Sequence, residues 1–140
     1  MGTRREGRIA ALQLLYQLDT SDGYEQLDDA LARFFTHIDA EARGEVRDFA
    51  TGICRGVVEH RAEIDEHLDR ASRNWRVARM SRVDRNVLRI AAYELMHAPE
   101  VPARVAINEA IEIGKRFGTV ESSGFINGVL DRLNRALAEE

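Results

Sequence analysis

Apolar residues recur at intervals of three and four along most of this 140-residue chain, and nowhere do they alternate with polar ones. That period belongs to helices that bury one face, whereas a half-buried strand needs a period of two. The first stripe, Ile9, Leu12, Leu15, Tyr16 and Leu18, lies within residues 4–18 and stops at Ser21, Asp22 and Gly23. A second runs through Leu27, Ala30, Leu31, Phe34, Phe35 and Ile38, and a third through Val46, Phe49, Ala50, Ile53, Val57 and Val58. Ile64 and Leu68 mark a shorter fourth. Ser81, followed three residues later by Asp84, reads as a capping box opening a fifth helix through Val83, Val87, Ile90, Ala91 and Leu95, which Ala98, Pro99 and Pro102 stop. Ile107, Ala110, Ile111 and Phe117 form the sixth stripe, with Gly118 as its C-terminal cap; Phe125, Ile126, Val129, Leu130, Leu133 and Leu137 form the last. The expected fold is all-α, a single domain of about seven helices.

Two prolines are few for a loop-rich or all-β chain, and 44% hydrophobic with 31% charged residues is ordinary for a globular one. A chain of this length buries roughly two-thirds of its unfolded surface, so no disulfide or metal is required to hold it. The single cysteine, Cys54, sits in an apolar run where a thiol packs as a small hydrophobe, which fits a reducing cytoplasm. Arg4, Arg5 and Arg8 are followed by Gln13, Gln17 and Asp19 rather than a signal-peptide apolar segment, and no stretch reaches transmembrane length, so no membrane association is expected.

The net charge of -4 conceals a strong polarity. Residues 19–66 hold thirteen acids against five bases, whereas residues 70–92 hold seven arginines (70, 73, 76, 79, 82, 85 and 89) against the single acid Asp84. Converging guanidinium groups can grip phosphate bidentately, but steps of three drift around a helix, so some of these arginines must pair with acids or face solvent. From the pattern alone, nucleic-acid binding and plain solvation stand level. Arg4, Arg5 and Arg8, and Lys115 with Arg116 beside Phe117, add basic spots next to aromatic rings, a combination suited to single-stranded RNA with its bases splayed out for stacking. Phe117 and Phe125 also read as core residues, and Tyr16 as an amphipathic ring. Nucleotide-binding, nucleophile-elbow and metalloprotease motifs are absent, so no catalytic residues and no cofactor are expected. His60, Glu63, Glu66 and His67 have helical spacing for metal ligation, but no second motif completes the set, and a solvated helix face is the simpler reading. His37 and His97 stand alone as surface residues.

Four segments then carry a resemblance. They are R-R-E-G-R-I-A-A-L-Q-L-L-Y-Q-L-D from Arg4, V-D-R-N-V-L-R-I-A-A-Y-E-L from Val83, V-P-A-R-V-A-I-N-E-A-I-E-I-G-K-R-F-G from Val101, and F-I-N-G-V-L-D from Phe125. In order and spacing they resemble the NusB family of bacterial transcription antitermination factors, while residues 20–75 match only in helical character. The resemblance implies two helical subdomains packed together. It also implies binding of the single-stranded boxA element of nascent ribosomal RNA transcripts with NusE, a small-subunit ribosomal protein, in an antitermination complex of RNA polymerase and other Nus factors. Carried over by position, Arg4, Arg5 and Arg8 are the N-terminal RNA contact. Phe117, Glu121, Phe125 and Asn127 border the RNA path, with Lys115 and Arg116 beside it. Tyr16 and Asp84 lie where RNA and NusE surfaces meet.

Two departures from the family pattern stand out. Glu6 and Gly7 interrupt the arginine segment, and glycine costs a helix about 0.5–1 kcal/mol relative to alanine, which predicts a loosened first turn. Glu139 and Glu140 replace a basic tail. A related helical domain is fused to certain rRNA cytosine-5 methyltransferases, but nine residues after Asp131 leave no room for a catalytic domain in this chain, which is expected not to be an enzyme. The other rival is a helical adaptor that binds no RNA. Monomer and homodimer both remain open.

Overall fold

The computed structural model describes residues 2–38, 41 and 43–140, which form two compact units, residues 1–59 and 60–140. Among the described residues there are seven α-helices and no strand, as the stripes require. The first unit holds α1 (Thr3–Ser21), α2 (Leu27–Arg33) and α3 (Gly44–Glu59). Helix α1 closes in a Schellman motif: Asp22 takes the left-handed conformation, with φ 52°, and its N–H donates to the Asp19 carbonyl while that of Gly23 donates to Leu18. The aspartate, rather than the glycine beside it, carries the positive φ. Leu14, Leu15, Leu18, Val46, Ala50, Ile53 and Val57 are buried. Cys54 joins them, and burial pushes its thiol pKa up to about 12, as befits an inert core sulfur. The second stripe predicts one helix continuing to Ile38. Instead α2 gives way to a π-helical turn at Phe34–Ile38, whose extra residue carries Ile38 off the apolar face and leaves it 61% exposed.

Gly7 has a different role from the one its helix propensity suggests. Helix α1 already runs from Thr3, and Gly7 is buried against Phe49 of α3. A Cβ there would come within 2.6 Å of the Phe49 ring, so the missing side chain is what lets the two helices approach.

The second unit holds α4 (Arg61–Ala71), α5 (Arg82–His97), α6 (Ala103–Phe117) and α7 (Ser122–Ala138). Its core is Ile64 and Leu68 from α4, Val87 and Leu88 from α5, Ile113 from α6, and Ile126, Val129, Leu130 and Leu133 from α7. Ser81 caps α5 by accepting the Asp84 N–H at 3.1 Å, as expected, and Pro102 precedes α6. Gly118 ends α6 in an extended conformation rather than a left-handed one. It is needed for closeness: a Cβ at Gly118 would collide with the side chain of buried Ser122, whose hydroxyl accepts the Thr119 N–H at 2.9 Å. That contact fixes the α6–α7 turn carrying Thr119 and Glu121.

Candidate nucleic-acid interface

In the first unit the N-terminal arginines surround one ring. The guanidinium carbons of Arg4 and Arg8 lie 5.8 and 5.3 Å from the centre of the Phe49 ring. Arg4 is exposed and Arg5 half-buried, but Arg8 is only 3% exposed, so its charge supports the packing of α1 on α3. Tyr16 is 42% exposed and falls within about 20° of Arg5 around the helix axis, roughly three turns further on. Arg5 and Tyr16 therefore share a face.

The arginine series in the second unit divides sharply. Arg89 is 5% exposed and bound bidentately to Asp65 of α4, both oxygens at 2.9 Å, with a further bond to buried Asn86 at 3.1 Å. Arg70 pairs with Glu66 at 3.0 Å and Arg76 approaches Asp69 at 3.6 Å, so the acids of α4 take up three of the seven. Arg73, Arg79 and Arg82 are exposed and form no ion pair among the described residues. The expected division between paired and outward-facing arginines holds, and the partners are α4 acids.

Arg79 stands on the rim of an open cleft of about 350 Å³, with Trp75, Met80, Asp84, Glu121 and Phe125 around it. The segment between α4 and α5 is positioned from beneath. Asp69 accepts the Val77 N–H at 2.7 Å, Val77 and Met80 are buried, and Trp75 is left 54% exposed. Asp84 supplies the most unusual atom of the site: its Oδ1 is buried and has no hydrogen-bond partner among the described residues. A buried carboxylate oxygen without a donor is costly unless a ligand supplies one. The structure thus joins Asp84, expected at the partner surface, with Glu121 and Phe125, expected along the RNA. Lys115, Arg116, Phe117 and Asn127 do not line the cleft. Lys115 is exposed at 3.9 Å from Glu112, Arg116 lies 5.1 Å from the Phe117 ring centre, and Asn127 is exposed. Trp75 carries no periodicity signal, since it lies between helices; a lone tryptophan flanked by arginines is the available clue.

His97, read from the sequence as a solitary surface residue, is not alone. Its Nε2 lies 2.8 Å from Glu63 Oε1 and its ring stacks on His60 at 3.8 Å. The hydrogen bond from His97 holds the Glu63 carboxyl below its ordinary range, helped by the charges of His97, His60 and His67 and opposed by burial. Glu66 instead pairs with Arg70, and His67 Nδ1 meets the Glu63 backbone carbonyl, so of the four residues at helical spacing only His60 and Glu63 bring side-chain ligand atoms together. No helix among the described residues is long and apolar enough to cross a membrane.

The class these features define is an all-α protein whose second unit carries an open cleft of aromatic, cationic and carboxylate side chains. Residues 5–135 match the sequence profile of the NusB family, and the chain belongs to that family. It is 48% identical over 134 residues to the transcription antitermination protein NusB of Anaeromyxobacter dehalogenans strain 2CP-1, covering 96% of this chain and 92% of that one. Among solved structures, T. maritima NusB superposes with a TM-score of 0.80 at 36% identity, covering 94% of this chain and 90% of the other. A crystal structure of the antitermination factors NusB and NusE with double-stranded RNA matches at TM-score 0.81 and 21% identity, over 97% and 98% of the two chains, and shares the fold.

Proposed function

We propose that this protein is a cytoplasmic, non-enzymatic antitermination factor that binds single-stranded boxA-type RNA together with NusE, in a complex of RNA polymerase and other Nus factors. The observation that carries this reading is the convergence of Trp75, Arg79, Asp84, Glu121 and Phe125 on one cleft. Its volume lies near the lower end of the roughly 300–1,000 Å³ of small-ligand pockets, a size for a single flipped-out base rather than a duplex. Trp75 and Phe125 offer stacking faces, Arg79 a phosphate contact, and the Asp84 carboxylate an acceptor for a base N–H. Family membership supports the reading, as does the companionship of NusB, NusE and RNA in a structure of the same fold. Arg4, Arg5 and Tyr16 extend the proposed RNA and NusE contacts on the first unit, and Lys115, Arg116, Phe117 and Asn127 extend the RNA contacts on the second.

Trp75 is the only tryptophan in the chain, so its fluorescence reports on the cleft directly. Titration with boxA RNA should change that emission and scrambled RNA should bind more weakly, while added NusE should tighten boxA binding. Phe125→Ala should weaken boxA binding by about 1–3 kcal/mol through loss of stacking. Equal affinity for boxA and scrambled RNA, or no emission change at saturation, would reject the proposal.

A further inference from the structure

His60 immediately precedes α4, Glu63 lies in the first turn of that helix, and His97 is the last residue of α5. The packing of these helices brings one ligand atom from each residue to within 4.8 Å of the other two. Glu63 Oε1 is the focus, at 2.8 Å from His97 Nε2 and 3.7 Å from His60 Nδ1. A first-row ion bound about 2.0–2.2 Å from each donor needs its donors roughly 3–3.5 Å apart, so small side-chain movements suffice. The imidazole rings stack at an interplanar angle of 18°, which puts their lone pairs in two nearly parallel planes; each ring must turn about χ2 to aim at a common point. That torsion is soft, and neither histidine is fully buried.

We infer that His60, Glu63 and His97 form a site for a divalent transition ion, zinc foremost. Two imidazoles and one carboxylate suit Zn(II), Co(II), Ni(II) or Cu(II) better than Mg(II) or Ca(II), and three protein donors leave at least one position for water. The site is separate from the cleft, since none of its residues lines it. Its structural effect follows from its position: the ion ties the start of α4 to the end of α5. Because it binds the folded unit, it raises the melting temperature by mass action.

The test uses untagged full-length protein stripped with a chelator and titrated with ZnCl2 by calorimetry, and with CoCl2 by visible absorption. One equivalent should bind, the Co(II) bands should indicate nitrogen and oxygen donors, and zinc should raise the melting temperature. His60→Ala and His97→Ala should each weaken zinc binding by more than the roughly 10–100-fold that loss of an outer-shell partner costs. His97→Gln guards against misfolding: it retains a donor toward Glu63 but offers no imidazole, so it should melt as the stripped wild type does and still lose zinc. His67→Ala should bind as wild type, because His67 contacts the Glu63 backbone and Glu140 instead. Absence of saturable binding, or binding unchanged by His97→Gln, would overturn the site.

Discussion

Replacing Gly7 by alanine separates two physical accounts that predict opposite signs. Helix propensity alone favours alanine by about 0.5–1 kcal/mol, because glycine is the costlier residue within a helix. The packing of α1 on α3 argues the other way. The new Cβ would stand 2.6 Å from Phe49 Cδ2 and 3.3 Å from Phe49 Cβ and Cγ, so the ring cannot escape by moving its edge alone. Overpacking of this kind costs about 1–3 kcal/mol, which leaves a net loss of roughly 0–2.5 kcal/mol and a melting temperature lower by up to several degrees. Urea and thermal melts followed by far-ultraviolet circular dichroism measure the difference directly. Phe49→Ala provides the internal control: with Cγ and the ring gone, only the Cβ contact at 3.3 Å remains, and Gly7→Ala should recover most of its propensity gain, giving a non-additive double-mutant cycle. An alanine variant that is more stable than wild type in the Phe49 background would refute the close-approach argument.

Asp65→Ala should destabilise the protein by about 3–5 kcal/mol, because it leaves the Arg89 guanidinium buried without its bidentate partner; Asp65→Leu with Arg89→Met should restore most of that stability in the same denaturant assay. Neutralising Arg4 and Arg5 to glutamine should flatten the log-log salt dependence of boxA RNA binding by about 0.7 for each phosphate no longer neutralised, and an unchanged slope would remove the N-terminal arm from the interface. Arg8→Gln should lower stability instead, since that guanidinium is buried over Phe49. Asp84→Asn should lower RNA affinity in the absence of NusE by about 1.5–3 kcal/mol if a base N–H bonds to its carboxylate, whereas an effect confined to the ternary titration would assign Asp84 to the protein partner.

The helices are legible because burial writes a period into the sequence, and the start of α5 because Ser81 acts on its near neighbour Asp84. Ile38 escapes that logic: a π turn changes the period locally, and nothing in Phe34–Ile38 announces it. Gly7 and Gly118 suggest conformational freedom, yet both serve close approaches to side chains, Phe49 and Ser122, that only the fold brings near. The arginine series shows the same limit. Spacing indicates that its members cannot share one face, but pairing Arg89 with Asp65 requires knowing that α5 packs on α4. His97 lies thirty-seven residues from His60 in sequence, which hides their kinship; helix packing cancels that distance.

Grouping Asp84 with Glu121 and Phe125 also constrains how RNA and NusE can act together. A cleft of about 350 Å³ has room for one small group, so two ligands that both filled it would compete, and each would weaken the other by the same factor. Cooperative assembly therefore requires a division of labour, in which one ligand enters the cleft while the other covers surface outside it. The chemistry favours RNA as the occupant. The cleft pairs stacking faces with the Asp84 carboxylate, and a nucleobase edge brings a ring and an N–H donor in a single rigid unit. NusE would then gain its advantage from the rim and from RNA it contacts itself, and RNA must tighten NusE binding by the factor with which NusE tightens RNA.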